Sequence, residues 1–105
     1  MVHHIVLYKL KPGLKDETLE EMMRTTRIQL LKIQEVYNIR CGKRLEPGNE
    51  WPFFIAVDFE TRDKMAIFKD DPIQVKWMEE TIKPNTEEAM VLDYELDPNR
   101  DVKYS

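Results

Sequence analysis

The chain opens on a strand with a histidine on each face. Along Met1-Val2-His3-His4-Ile5-Val6-Leu7-Tyr8-Lys9-Leu10, alternate side chains point to opposite sides. His4, Val6, Tyr8 and Leu10 therefore share one face, and His3, Ile5, Leu7 and Lys9 the other. Both faces are largely apolar, and such a strand has to be covered on both sides. Helices can cover one. At 105 residues the chain has room for a single domain, so the other face points to a partner subunit.

The remaining elements follow from periodicity and turn chemistry. Pro12-Gly13 ends the first strand. Asp16 is placed to cap a helix over about 16–34, in which Leu19, Met22, Met23, Thr26, Leu30 and Ile33 recur at helical spacing. A weakly alternating strand over 36–45 ends in the turn residues Glu46-Pro47-Gly48-Asn49. The strand over 53–60 puts Phe53, Ile55, Val57 and Phe59 on one face and Phe54 and Ala56 on the other. Thr61 caps a short helix, Asp71-Pro72 starts a second that Lys83-Pro84-Asn85 closes, and a last strand covers 90–96. The order is strand, helix, strand, strand, helix, strand. It predicts an α+β, ferredoxin-like βαββαβ domain over residues 1–97, with an antiparallel sheet and both helices on one face, followed by a polar tail over 98–105. The uncovered sheet face would expose more apolar surface than a soluble monomer tolerates, which predicts a twofold homodimer.

Composition closes off several functions. The formal net charge of -4 and pI near 5.2 oppose nucleic-acid binding, which needs a basic surface. Arg40, Lys43 and Arg44 read as a solvated strand edge, with an anion site as the competing reading. Cys41 is the only cysteine, so no intrachain disulfide can form, and the expected location is cytoplasmic. No apolar run is long enough for a membrane span. Gly13, Gly42 and Gly48 are scattered singly, which gives no phosphate-binding loop. Two histidines and one cysteine are a poor set for zinc, and no carboxylate loop has calcium spacing. No metal or cofactor is expected.

The stretch His4-Ile5-Val6-Leu7-Tyr8-Lys9-Leu10-Lys11-Pro12-Gly13 resembles the opening of the stress-responsive dimeric alpha/beta-barrel (Dabb) domain family nearly position for position. The third-strand run Phe53-Phe54-Ile55-Ala56-Val57-Asp58-Phe59-Glu60, Ile82-Lys83-Pro84, and the closing Val91-Leu92-Asp93-Tyr94-Glu95 extend the resemblance over about residues 2 to 96. It implies a homodimeric barrel. In a plant polyketide cyclase of this family, the first-strand histidine works without cofactor in a pocket between sheet and helices, together with a second histidine from a His-Pro-x-x-His segment. Here that segment is Asp71-Pro72-Ile73-Gln74. The proline is kept and both histidines are replaced, and glutamine cannot exchange a proton near neutral pH. The two-histidine mechanism is not expected to transfer.

His4 is the leading site residue, since its face points under the helices and histidine titrates near cell pH. A hydrogen-bonded core histidine is the competing reading. Tyr8 is the second catalytic candidate, able to donate a hydrogen bond to a bound carbonyl, and a buried structural tyrosine is its alternative. Val6, Met23, Gln74 and Trp77 complete the expected ligand pocket, against plain core packing for each. His3 faces the expected subunit interface in a structural role, and Asp71 is first a helix cap. Three functional readings remain open. The first is a homodimer that binds a small apolar molecule between sheet and helices. The second is a cofactor-independent cyclase, isomerase or monooxygenase with His4 as general base. The third is a structural dimer whose core is filled by its own side chains.

Overall fold

The computed structural model describes residues 1–97; the tail expected over 98–105 lies outside the described residues. The elements run β1 (Val2–Leu10), α1 (Asp16–Leu30), β2 (Asn38–Lys43), β3 (Phe53–Phe59), α2 (Arg62–Asp70), α3 (Pro72–Trp77), a π-helical turn (Met78–Ile82) and β4 (Thr86–Glu95). The four strands form one antiparallel sheet in the order β2-β3-β1-β4. This is the ferredoxin-like βαββαβ fold.

β1 lies inside the sheet, and its alternation sets the two faces. Val2, His4, Val6 and Tyr8 are buried, whereas His3, Ile5, Leu7 and Lys9 on the other face are only partly so. β3 repeats the pattern at higher density, with Phe53, Ile55, Val57 and Phe59 each at most 2% exposed. The amphipathic stripe of α1, Leu19, Met22, Met23, Thr26 and Leu30, closes over these side chains. Thr26 ties the helical layer together from inside it. Its hydroxyl donates to the Met22 carbonyl at 2.7 Å and accepts from the Trp77 indole N–H at 3.0 Å, joining α1 to α3.

Several boundaries differ from the sequence expectation, each for a local reason. Asp16 is the first residue of α1 rather than its cap; Lys15 holds the cap position without a side-chain cap bond, and its carbonyl accepts from the Thr18 and Leu19 amides. α1 ends at Leu30 instead of 34. Single turns then carry the chain on, with Ile33 N–H donating to Leu30 and Val36 N–H to Ile33, so Ile33 is buried without being helical. β2 is shorter than 36–45. β4 begins at Thr86, four residues before the apolar run, because its first half pairs with the end of β1 through Leu10, across an irregularity at Lys9/Leu10, and carries exposed Glu87 and Glu88. The caps at Thr61 and Asp71 are as expected: their side chains accept from the Lys64 amide at 3.1 Å and the Ile73 amide at 2.8 Å. The helical segment after Pro72 does not continue uniformly, since its second half is the π-helical turn.

The helices leave the opposite sheet face uncovered. Ile5, Leu7, Phe54 and Leu92 are half-buried there, and Met90 and Tyr94 are exposed. On β2, Gly42 stands opposite Phe54, whose ring would lie 2.8 Å from a Cβ at that position. The glycine makes room for the aromatic ring to lie over the edge strand.

Thr26→Val keeps the shape of the side chain but leaves the buried Trp77 N–H without an acceptor. It is expected to lower unfolding stability by about 1–3 kcal/mol, read from urea denaturation followed by tryptophan fluorescence.

Candidate functional site

The site sits where β1 passes beneath α3. The register sets His4 beside Asp93 of β4, and the imidazole Nδ1–H donates to Asp93 Oδ1 at 2.5 Å. The ring is buried against Phe59 and Phe68, with centroids 6.3 and 6.5 Å away. With Nδ1 committed to the carboxylate, Nε2 is the ring nitrogen left to meet a ligand. Asp93 is itself partly exposed, and its outer side borders an open groove of about 270 Å³ beside Val2, Met65 and Arg62. One carboxylate thus contacts both a buried imidazole and a water-accessible surface.

On the inner side lies an enclosed cavity of about 30 Å³, walled by His4, Val6, Tyr8, Gln74, Trp77 and Met78, with Phe68 beside them. A space of this size holds roughly two water molecules. Five of the six expected catalytic and pocket residues, His4, Tyr8, Val6, Gln74 and Trp77, meet around it. Met23 does not; it is buried under α1 away from this wall, where its carbonyl accepts from the Cys41 thiol at 3.6 Å.

The polar groups at the cavity differ in what holds them. Burial pushes the Tyr8 phenol up to about 12 from its ordinary 10.0, so it remains a hydrogen-bond donor at any physiological pH. Its ring stacks on Phe53 at 5.7 Å. The Gln74 side chain is 9% exposed and has no hydrogen-bond partner among the described residues, while no fully enclosed polar side-chain atom is left unsatisfied there. Its amide therefore borders free space. Imidazole, phenol and amide thus line one small, otherwise apolar cavity.

His3 mirrors His4 on the other face. Its Nδ1 pairs with Asp58 of β3, and Arg40 of β2 lies 4.0 Å from the second oxygen of the same carboxylate. Asp71 serves as the α3 cap. Burial pushes the Cys41 thiol up, partly offset by Arg27, which disfavours the nucleophilic thiolate. Among the described residues, no group of three or more His, Cys, Asp or Glu side chains is placed to hold a metal ion. No helix there is long and apolar enough to cross a membrane.

Asp93, Phe68 and Met78 were absent from the sequence expectation. Asp93 had a usable signal, since the alternation of β4 puts it on the same face as Val91. Only the strand order, however, sets β4 beside β1 and opposite His4.

The stress responsive A/B barrel domain family matches residues 2–96, and the chain belongs to that family. Among curated proteins none is significantly similar in sequence. Solved structures share the fold at low identity. A dimeric ferredoxin-like protein of unknown function from Bacteroides fragilis is 24% identical over 90% of this chain and 95% of its own, with TM-score 0.75. A protein of Arabidopsis thaliana is 20% identical over 99% and 100%, with TM-score 0.82. A hydroxynitrile lyase from Passiflora edulis is 18% identical over 95% and 96%, with TM-score 0.80. Several of the structures that share this fold are described as dimeric.

Raising the pH tests how deeply Tyr8 is buried. A free phenol ionises near pH 10 and the buried one near 12, so across that window the unfolded chain releases a proton that the folded chain retains. Stability conferred by the neutral phenol is full below pH 10 and is lost as pH rises towards 12, by roughly 2–3 kcal/mol. Denaturation curves across this window should fall more steeply with pH in the wild type than in Tyr8→Phe.

Proposed function

We propose that this chain forms a homodimeric barrel that binds a small, mostly apolar carbonyl compound between sheet and helices, with the carbonyl oxygen seated among His4, Tyr8 and Gln74. The observation that carries this reading is the convergence of those three polar side chains on one enclosed apolar cavity, with His4 oriented by Asp93. The Tyr8 hydroxyl and Gln74 amide supply donors suited to an oxygen, and Val6, Trp77 and Phe68 supply the apolar wall. The present cavity takes only a carbonyl-sized group, so a larger body enters by displacing side chains at its rim. Met78, at the start of the π-helical turn, is half-buried and is the wall residue best placed to move. The free thiol of Cys41 suits a reducing compartment such as the cytoplasm.

A second reading takes its support from the His4–Asp93 pair. An imidazole held at Nδ1 by a carboxylate has Nε2 oriented to accept a proton. In a cofactor-independent cyclase, isomerase or related reaction, Nε2 would take the proton from the carbon beside a bound carbonyl. Tyr8 would donate a hydrogen bond to the oxygen as negative charge develops there. Gln74, in place of the second histidine of the cyclase pattern, would bind that oxygen without exchanging protons. The likeness to a hydroxynitrile lyase is one of fold.

Thermal-shift measurements with short-chain aldehydes and ketones test the first reading. A ligand at about 100 times its Kd stabilises by ~2.7 kcal/mol, and that shift should disappear in His4→Gln. Equal shifts in both proteins, or none with any compound, would overturn it. The second reading also needs turnover that Asp93→Asn lowers while ligand binding survives.

The uncovered sheet face supports the homodimer. Sedimentation should give twice the 12.6 kDa chain mass, and Met90→Lys on that face should shift the population towards a single chain. A single-chain mass for the wild type at micromolar concentration would refute the dimer.

A further inference from the structure

At the end of the sheet remote from Asp93 lies a second candidate site, independent of the His4 cavity. Two open hollows of about 340 and 350 Å³ meet along a shared wall of Leu10, Leu14, Arg44 and Pro52. Each is within the lower range of volumes that organic ligands occupy. Lys15, Lys43 and Leu19 line the first hollow, with Asp16 as its one acid. Lys9 and Lys11 line the second, opposed by Glu50 and Glu87. Together the two hollows carry five cationic side chains against three carboxylates, on a chain whose 20 acids outnumber its 16 bases.

The cations here are not equivalent. Lys43 is neutralised by Glu20 at 2.7 Å, a contact that fastens α1 to β2. Lys9 is shared between Glu50 and Glu88 at 3.6 and 3.5 Å and lies over the Trp51 ring. Lys11, Lys15 and Arg44 have no carboxylate within ion-pair distance among the described residues. Arg44 is also fixed in place. Its backbone N–H donates to the Pro52 carbonyl at 3.0 Å, closing the β2–β3 connection, and its guanidinium donates to the Asn49 carbonyl at 2.7 Å. A guanidinium has five N–H donors, so most remain for an anion. Leu10 and Leu14 beneath it are half-buried and join the main core, giving the hollow an apolar floor.

From this combination of uncompensated cations over a leucine floor, we infer that the cleft binds a small organic anion with an apolar body, its charged head at Arg44 and Lys15 and its body along Leu10, Leu14 and Leu19. The basic run at Arg40, Lys43 and Arg44 thereby divides by task. Arg40 faces Asp58 on the open sheet face, Lys43 ties two elements together, and Arg44 serves the anion.

The probe is decanoate below its micellar concentration, titrated into the full ¹⁵N-labelled chain and followed by amide shifts, with decanol and inorganic phosphate in parallel. The expected result is saturable binding of decanoate that moves the amides of residues 14–19 and 43–44 and weakens as salt is raised. Arg44→Glu and Lys15→Glu should each weaken it by about tenfold. Both side chains are exposed, and an unchanged thermal midpoint confirms that the variants fold. Leu14→Gln tests the apolar floor and should weaken decanoate while leaving phosphate unaffected. Decanol binding as tightly as decanoate would overturn the inference, because charge would then play no part. Phosphate matching decanoate would overturn it for lack of any apolar contribution. Shifts confined to His4, Gln74 and Trp77 would also overturn it, by placing decanoate in the other site.

Discussion

Everything in this molecule depends on a central strand that is largely apolar on both faces and carries a histidine near its start on each. Because β1 lies between β3 and β4, its side chains meet neighbours on both sides, and the alternation of a strand commits each of them to one layer. Val6 and Tyr8 are sealed by helices, whereas Ile5 and Leu7 look towards a face that no helix covers. The fold and the expected pairing of subunits are thus two consequences of one short sequence.

The pair at His4 shows how that constraint produces chemistry. A histidine in an apolar layer needs a partner for each ring nitrogen that faces protein. Asp93 meets that need from the adjacent strand, so orientation of the ring comes from strand pairing and not from a loop. A site built on paired strands is held rigidly. Here the rigid part is the imidazole and the phenol, while the opposite wall is assembled from α3 and the turn after it. The change from α-helical to π-helical geometry at Met78 places the less regular backbone in the cavity wall opposite β1.

Much of this was legible in the sequence, and the limits are physical. Strong alternation at Val2–Leu10 and Phe53–Phe59, helical spacing from Leu19 to Leu30, and the Thr61 and Asp71-Pro72 caps are local signals, and they mark their elements correctly. The end of α1 was misread because Ile33 continues the apolar spacing through single turns. The start of β4 was missed because an edge strand exposed on both faces has no burial pattern to display. At the site, His4, Val6, Tyr8, Gln74 and Trp77 share faces that periodicity can identify, so their meeting could be anticipated. Met23 has the same helical spacing yet lies beyond the wall, since spacing fixes a face but not a position along it. Asp93 required knowledge of strand order, which no local pattern encodes.

The consecutive histidines also bear on how the sheet selects its pairing. His3 is matched to Asp58 on β3, and His4 to Asp93 on β4, through opposite faces. A slip of β1 by a single residue would turn each imidazole into the layer meant for the other. Both would lose their carboxylates, and two acids would be left without counterparts. Greasy side chains alone distinguish poorly between such alignments, since both surfaces of this strand are oily. The doublet therefore works as a two-pin key that admits one alignment of the central strand.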